Sequence, residues 1–142
     1  MSTEENKAVV RRFVEEVQSH HKLELVDQLF DPSYNDHASF QGSVPGIEGF
    51  KQLFGMMLRA FPDLHATIHD QIAEGDKVVT RKTFEGTHKG DYMGVPPTGK
   101  QVKLGIIDIF RVVDGRIVEH WMQADSLGFM RQLGMIPPPE PS

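Results

Sequence analysis

Carboxylate, imidazole and indole groups crowd one short stretch of this chain, with a guanidinium close before it, and such groups can do acid/base work. The stretch DGRIVEHWMQAD at 114–125 holds a tight turn, an alternating segment, the only tryptophan and a terminal carboxylate. Strict alternation puts Ile117, Glu119, Trp121, Gln123 and Asp125 on one strand face, and Val118, His120, Met122 and Ala124 on the other. Trp121 then flanks Asp125. Apolar surroundings raise a carboxyl pKa and bring a proton acceptor and donor closer to working pH, so Asp125 is a candidate acid/base. The same residue can cap the helix that follows, because its oxygen can accept a backbone N–H there, although Ser126 can do that unaided.

Three further groups could serve a carbonyl. Arg111, near the Asp114-Gly115 turn, could polarise a carbonyl or bind a carboxylate, or simply make a surface ion pair. His37 in YNDHASF is either a loop histidine bonded to backbone or, facing a cavity, a hydrogen-bond partner for substrate. His88 sits where a strand gives way to a loop, and a surface histidine there would be unremarkable. Asp108 reads as an ion-pair partner, Glu119 as a second buried acid or a partner for an arginine, and His120 as an interface or core residue. His65 and His69 have metal-ligand spacing on a helix, but in a strand they stand about 13 Å apart. The chain contains no HExxH, GxGxxG, P-loop or GxSxG pattern, so zinc hydrolysis, hydride transfer, phosphoryl transfer and serine hydrolysis have no motif.

The elements that must position these groups follow from periodicity. Ser2 and Glu5 fit a capping box, and Val9, Val10, Phe13, Val14 and Val17 then make one helical stripe, predicting a helix over about 4–19. A short helix carries Leu23, Val26, Leu29 and Phe30 and stops at Asp31-Pro32. A third runs from Ile47 to Phe61, ended by Pro62. Beyond it the period becomes alternating, with strands near 64–73, 77–87, 101–113 and 116–124 and turns at Glu74-Gly75-Asp76 and Asp114-Gly115. A short strand at 34–40 and a last helix at 127–133 complete the pattern. Helices first and antiparallel strands afterwards indicate an α+β fold, a curved, mostly antiparallel sheet wrapped around the N-terminal helices as a cone. The loop HKGDYMGVPPTGK is long enough to cover the mouth of that cone.

Composition narrows the classes. A chain of 142 residues is the usual size of one domain, expected over 1–136 and followed by a proline-rich tail at 137–142. A net charge of −5 without basic runs argues against nucleic acid, and no apolar run is long enough to span a bilayer. The N-terminal residues lack a secretory pattern, which makes a cytoplasmic protein the expectation. Absence of cysteine excludes disulfides and thiolate chemistry. A sheet covered by helices on one side only leaves an apolar face, which predicts a homodimer or larger assembly.

His37 in YNDHASF, FPDLH at 61–65, EGDKVVTRKTFEGTHKG at 74–90, VPPTGK at 95–100 and DIFRVVDGRIVEHWMQAD at 108–125, followed by QLG, together resemble the SnoaL-like polyketide cyclase and ester cyclase family, within the superfamily resembling nuclear transport factor 2. The resemblance implies a cone-shaped α+β barrel and chemistry without cofactor or metal. It implies that Asp125 acts as acid/base in an intramolecular aldol ring closure. On this reading His37 joins the catalytic apparatus, and Arg111, Trp121 and His88 contact a small hydrophobic carbonyl compound. Two other readings stay open: a non-catalytic module that binds a hydrophobic ligand or dimerises, and a hydratase, dehydratase or epoxide-opening enzyme using the same pocket.

Overall fold

The structure, a computed structural model, describes residues 1–38 and 44–137. The tail beyond Pro137 and the last residues of the strand expected at 34–40 lie outside the described residues. Helix α1 (Thr3–Arg12) opens on the capping box, Ser2 and Glu5 each satisfying the other's backbone N–H. Where one unbroken helix is expected, the chain instead widens into a π-helical segment, Phe13–Ser19, which buries Phe13, Val14, Val17 and Gln18. Single wide turns of this kind recur at functional sites. A 3-10 turn (Leu23–Leu25) and the short helix α2 (Val26–Leu29) follow.

Strand β1 (Phe30–Asp36) starts earlier than the sequence predicts. The residue before Pro32 is pushed out of the helical region, and the chain runs straight into an extended edge strand, where a missing N–H is tolerated. Helix α3 (Gly46–Ala60) precedes strands β2 (His65–Glu74), β3 (Lys77–Thr87), β4 (Gln101–Val113) and β5 (Arg116–Ala124), and α4 (Ser126–Gln132) closes the described fold. The sheet order is β1-β5-β4-β3-β2. β1 runs parallel to β5 and all other pairs are antiparallel. The fold is therefore α+β, an open cone whose mixed sheet does not close on itself. Among the described residues no helix is long and apolar enough to cross a membrane.

Two apolar clusters fill the inner side. One joins α1, the π segment and β1 to Val78, Phe110 and Val112, with the Phe13 ring meeting those of Phe30, Phe50 and Phe110 at 5.1–5.5 Å. The other gathers Phe54, Phe61, Phe84, Ile106, Phe129 and Leu133 around the far end. Alternation decides which strand residues reach them. On β3, Val78, Thr80, Lys82, Phe84 and Gly86 are buried; on β4, Val102, Ile106, Asp108, Phe110 and Val112 are. On β5 a bulge intervenes, since Arg111 faces Glu119 while Val112 faces Ile117, leaving Val118 as the extra residue. Ile117 thereby joins the inner face instead of the face of Glu119 and Trp121.

The loop between β3 and β4 is tied down along its length. Lys89 and Gly90 donate to the Ala60 carbonyl, and Tyr92 bridges Val95. Gly90 is required at this approach, because a Cβ there would collide with the Arg59 carbonyl.

Candidate active site

The inner face carries a row of ionisable groups, one from each of four adjacent strands. Lys82 Nζ lies 2.7 Å from Asp108 Oδ2, His120 Nε2 lies 3.5 Å from the same oxygen, and His120 Nδ1 lies 3.1 Å from Asp36 Oδ1. Register explains the row. Lys82 faces Ile106, so Asp108 is its diagonal neighbour; Phe110 faces His120, which makes His120 diagonal to Asp108; and Asp36 faces His120. Diagonal neighbours on one sheet face are about 7–8 Å apart at the backbone, a span that long polar side chains bridge.

Each member is enclosed. The side chains of Lys82 and Asp108 are both 1% exposed. Lys82 also donates to Gln18 Oε1 at 2.9 Å, from the π segment, and its ammonium stands over the Phe84 and Phe110 rings at 5.2 and 5.7 Å. The His120 ring stacks on Phe110 at 4.4 Å. Tyr34 donates to Asp36 Oδ2 at 2.8 Å. Burial pushes the Tyr34 phenol well above its ordinary range, so it remains a donor.

The charges hold one another. Burial opposes ionisation of Asp108, but the Lys82 charge and the nearby His120 outweigh it and leave its pKa lowered. For Asp36, burial is likewise outweighed by His120, Tyr34 and the Ala38 N–H. His120 ends with a raised pKa, because the pull of Asp108 and Asp36 exceeds its burial. Two buried atoms of the row have no hydrogen-bond partner among the described residues: Asp108 Oδ1 and His120 Nε2, whose 3.5 Å contact is an ion-pair distance only.

The residues assigned catalytic or substrate-binding roles from sequence lie elsewhere. His37, Arg111 and Trp121 do come together, on the outer sheet face. Glu119 takes His37 Nε2 at 2.7 Å and Arg111 Nε at 2.6 Å, and the His37 ring stacks on Trp121 at 4.8 Å. Asp125 also faces outward. Its carboxylate accepts the Gly128 N–H at 3.0 Å as the N-cap of α4, and Gly128 allows that approach because a Cβ would strike the same carboxylate. It borders an open depression of about 390 Å³ shared with Arg81, Thr83 and Gln123. His88 is not at a rim but fully buried; Nδ1 accepts the Thr98 N–H at 3.2 Å and pins the β3–β4 loop. Asp108, read as an ion-pair partner, and His120, read as an interface or core residue, belong to the buried row. Lys82 was not singled out at all. Its signal is phase, a lysine in step with Val78 and Phe84 along an alternating strand.

A family model described as SnoaL-like polyketide cyclase matches residues 8–133. Nogalonic acid methyl ester cyclase of Streptomyces nogalater is 31% identical over 111 residues, covering 77% of this chain and 83% of that protein. Aklanonic acid methyl ester cyclase AcmA of Streptomyces galilaeus is 30% identical over 132 residues, covering 92% and 91%. Among solved structures, TsrD from Streptomyces laurentii matches with a TM-score of 0.86 at 30% identity, covering 96% of this chain and 99% of its own.

The cap and the row generate separate expectations. Asp125→Ala should lose about 0.5–2 kcal/mol of unfolding free energy by urea titration, and Asp125→Asn, which keeps a capping oxygen, much less. Equal losses would remove the capping role. For the row, the raised His120 contributes stability fully present below its unfolded pKa of about 6.5 and lost as pH rises through its folded value. The lowered Asp36 and Asp108 contribute stability present above about pH 3.9 and lost as pH falls through their folded values. Urea midpoints should therefore be highest between about pH 4 and 6.5. A midpoint that climbs steadily into the alkaline range would be incompatible with the row.

Proposed function

The chain belongs to the SnoaL-like polyketide cyclase family, and we propose that it closes a ring within a polyketide-like carbonyl compound by cofactor-free acid/base chemistry centred on Asp108. Asp108 Oδ1 takes a proton from the carbon next to a carbonyl. The resulting enolate attacks a second carbonyl of the same molecule, the new carbon–carbon bond leaves an alkoxide, and that alkoxide recovers a proton. His120 is positioned to supply it and then to regain the proton held by Asp108, 3.5 Å away, because Nε2 carries no other hydrogen bond and Asp36 holds the opposite edge of the ring.

The observation that carries this reading is the free Asp108 Oδ1, a buried carboxylate oxygen with nothing to accept from among the described residues. Buried polar atoms are rarely left so, and each one that is calls for a reason, of which a catalytic role is one. Asp125 supplies the weaker case for acid/base work, since its carboxylate is exposed and already accepts a backbone N–H. His37 and Arg111 both pair with Glu119, and Arg111 also meets Asp76 at 3.6 Å. With Asp108 enclosed to this degree, substrate reaches it only as packed side chains move aside, so binding is coupled to opening of the inner face.

Assembly is proposed on the other face. Ile72, Val79, Ile109 and Trp121 are cross-strand neighbours in a single row on the outer side, and Ile72 and Ile107 are 67% and 50% exposed. Such a row supports a homo-oligomer that covers it. Light scattering should give at least twice the monomer mass at micromolar concentration; a strict monomer would refute it.

Nogalonic and aklanonic acid methyl esters, named for two relatives, are the first substrates to assay. Asp108→Asn should lower kcat about 10²–10⁴-fold, the usual share of a positioned acid/base, while Asp125→Asn leaves it unchanged. Full turnover by Asp108→Asn, in a variant that folds normally by circular dichroism, would overturn the assignment.

A further inference from the structure

Within the site just proposed, and resting on that reading of it, we propose that the Lys82 ammonium is an oxyanion site, binding the ionised oxygen of an enol or an acidic phenol. Lysine at a protein surface keeps its charged head in water and lays its stem along apolar groups. Lys82 does the reverse: it stands on the inner face of β3 with its side chain 1% exposed. An ammonium has three N–H donors. Two acceptor oxygens meet it among the described residues, Asp108 Oδ2 at 2.7 Å and Gln18 Oε1 at 2.9 Å. On its remaining side the group meets the Phe84 and Phe110 rings, which attract a cation but offer no oxygen.

Besides the unpartnered His120 Nε2, the cluster therefore has a Lys82 donor in excess beside an acceptor in excess, since Asp108 Oδ1 also lacks a partner among the described residues. A ligand complementary to both presents an oxygen that takes a hydrogen bond and an acidic hydrogen that gives one. An enolisable carbonyl or an enol has both, and so does a phenol. A simple hydrocarbon or an ester without an acidic α-hydrogen has not. Transfer of the acidic proton to Asp108 converts the carboxylate to the acid and the ligand to an oxyanion. Negative charge moves from one neighbour of Lys82 to another, and the net charge of the enclosure does not change. That is the arrangement in which a fixed cation favours the charge-separated species of a reaction, because no solvent need reorganise. Lys82 would accordingly select substrates by the acidity of the group they present, 1,3-dicarbonyl compounds above isolated ketones.

Binding of 4-nitrophenol, followed by its visible phenolate absorption, tests this without a natural substrate. Three proteins are compared: wild type, Asp108→Asn, and the double variant Lys82→Met/Asp108→Asn. The double variant leaves no unpaired carboxylate at position 108 or ammonium at 82, and circular dichroism and a thermal melt establish that it folds. At a pH below the pKa of the free phenol, wild type and Asp108→Asn should hold bound ligand as phenolate, with its acidity raised about tenfold or more by the adjacent cation. The double variant should bind it only as the neutral phenol. Phenolate absorption that persists at equal strength in the folded double variant, or is missing from both lysine-bearing proteins, overturns the proposal. The outcome is independent of the acid/base assignment: a fully active Asp108→Asn variant that still holds phenolate through Lys82 would retire Asp108 as the base and leave the oxyanion site standing.

Discussion

Two opposite charges sealed from water must be paired closely or not exist at all, and the Lys82–Asp108 contact places that demand at the centre of this fold. Desolvating such a pair is expensive, and removing one partner from a buried pair typically destabilises by about 3–5 kcal/mol. Strand register is thus held by more than apolar packing. A slip of one residue between β3 and β4 would turn one of Lys82 and Asp108 to the outer face and strand the other among phenylalanines. The row continues the same logic across the sheet, with cation and anion alternating through Lys82, Asp108, His120 and Asp36. Gln18 and Tyr34 then supply neutral partners at its two ends.

The two faces of the sheet divide the polar residues by purpose. On the inner face charges are enclosed, aligned diagonally and left with one acceptor unused. On the outer face the ion pairs are half-exposed and mutually satisfied, as in the Arg111–Glu119–His37 chain and the Arg81–Asp70 pair. Exposed pairs of that kind contribute little to stability and present no unmet hydrogen bond. The bulge at Val118 is where the division is enforced on β5, because it returns Ile117 to the core while His120 keeps its place beside Phe110.

Most of the architecture was legible in the sequence. The period change after Pro62, the Asp114-Gly115 turn and the stripe on α3 fix element types and nearly all strand limits, since each rests on local sterics and a simple repeat. The π-helical widening after Arg12 was not legible, because Phe13, Val14 and Val17 fit an ordinary helical stripe just as well. Site residues were harder for a different reason. Parity correctly kept Glu119, Trp121 and Asp125 together, but it does not state which face is inward, and the structure turns all three outward. The decisive sign was available on β3 and β4, where Lys82 falls in step with Val78 and Phe84, and Asp108 with Ile106 and Phe110. A charge in phase with apolar neighbours on two adjacent strands is a buried pair waiting to be matched.

That match also explains how one enclosure can be stable and still hold unmet hydrogen bonds. A fully satisfied network would lock the interior, and a network with an isolated charge would not fold. Here every formal charge has a counter-charge, yet one carboxylate oxygen and one imidazole nitrogen remain without a hydrogen bond. The deficit is small enough for burial of the surrounding phenylalanines to offset, at roughly 25 cal/mol per Å² of apolar surface removed from water. It is also directional, since a ligand that removes it must offer a hydrogen to Asp108 Oδ1 and an oxygen to His120 Nε2. On the proposed reading, selectivity for an enolisable carbonyl would follow from the unmet hydrogen bonds themselves, before any bond in the substrate is made or broken.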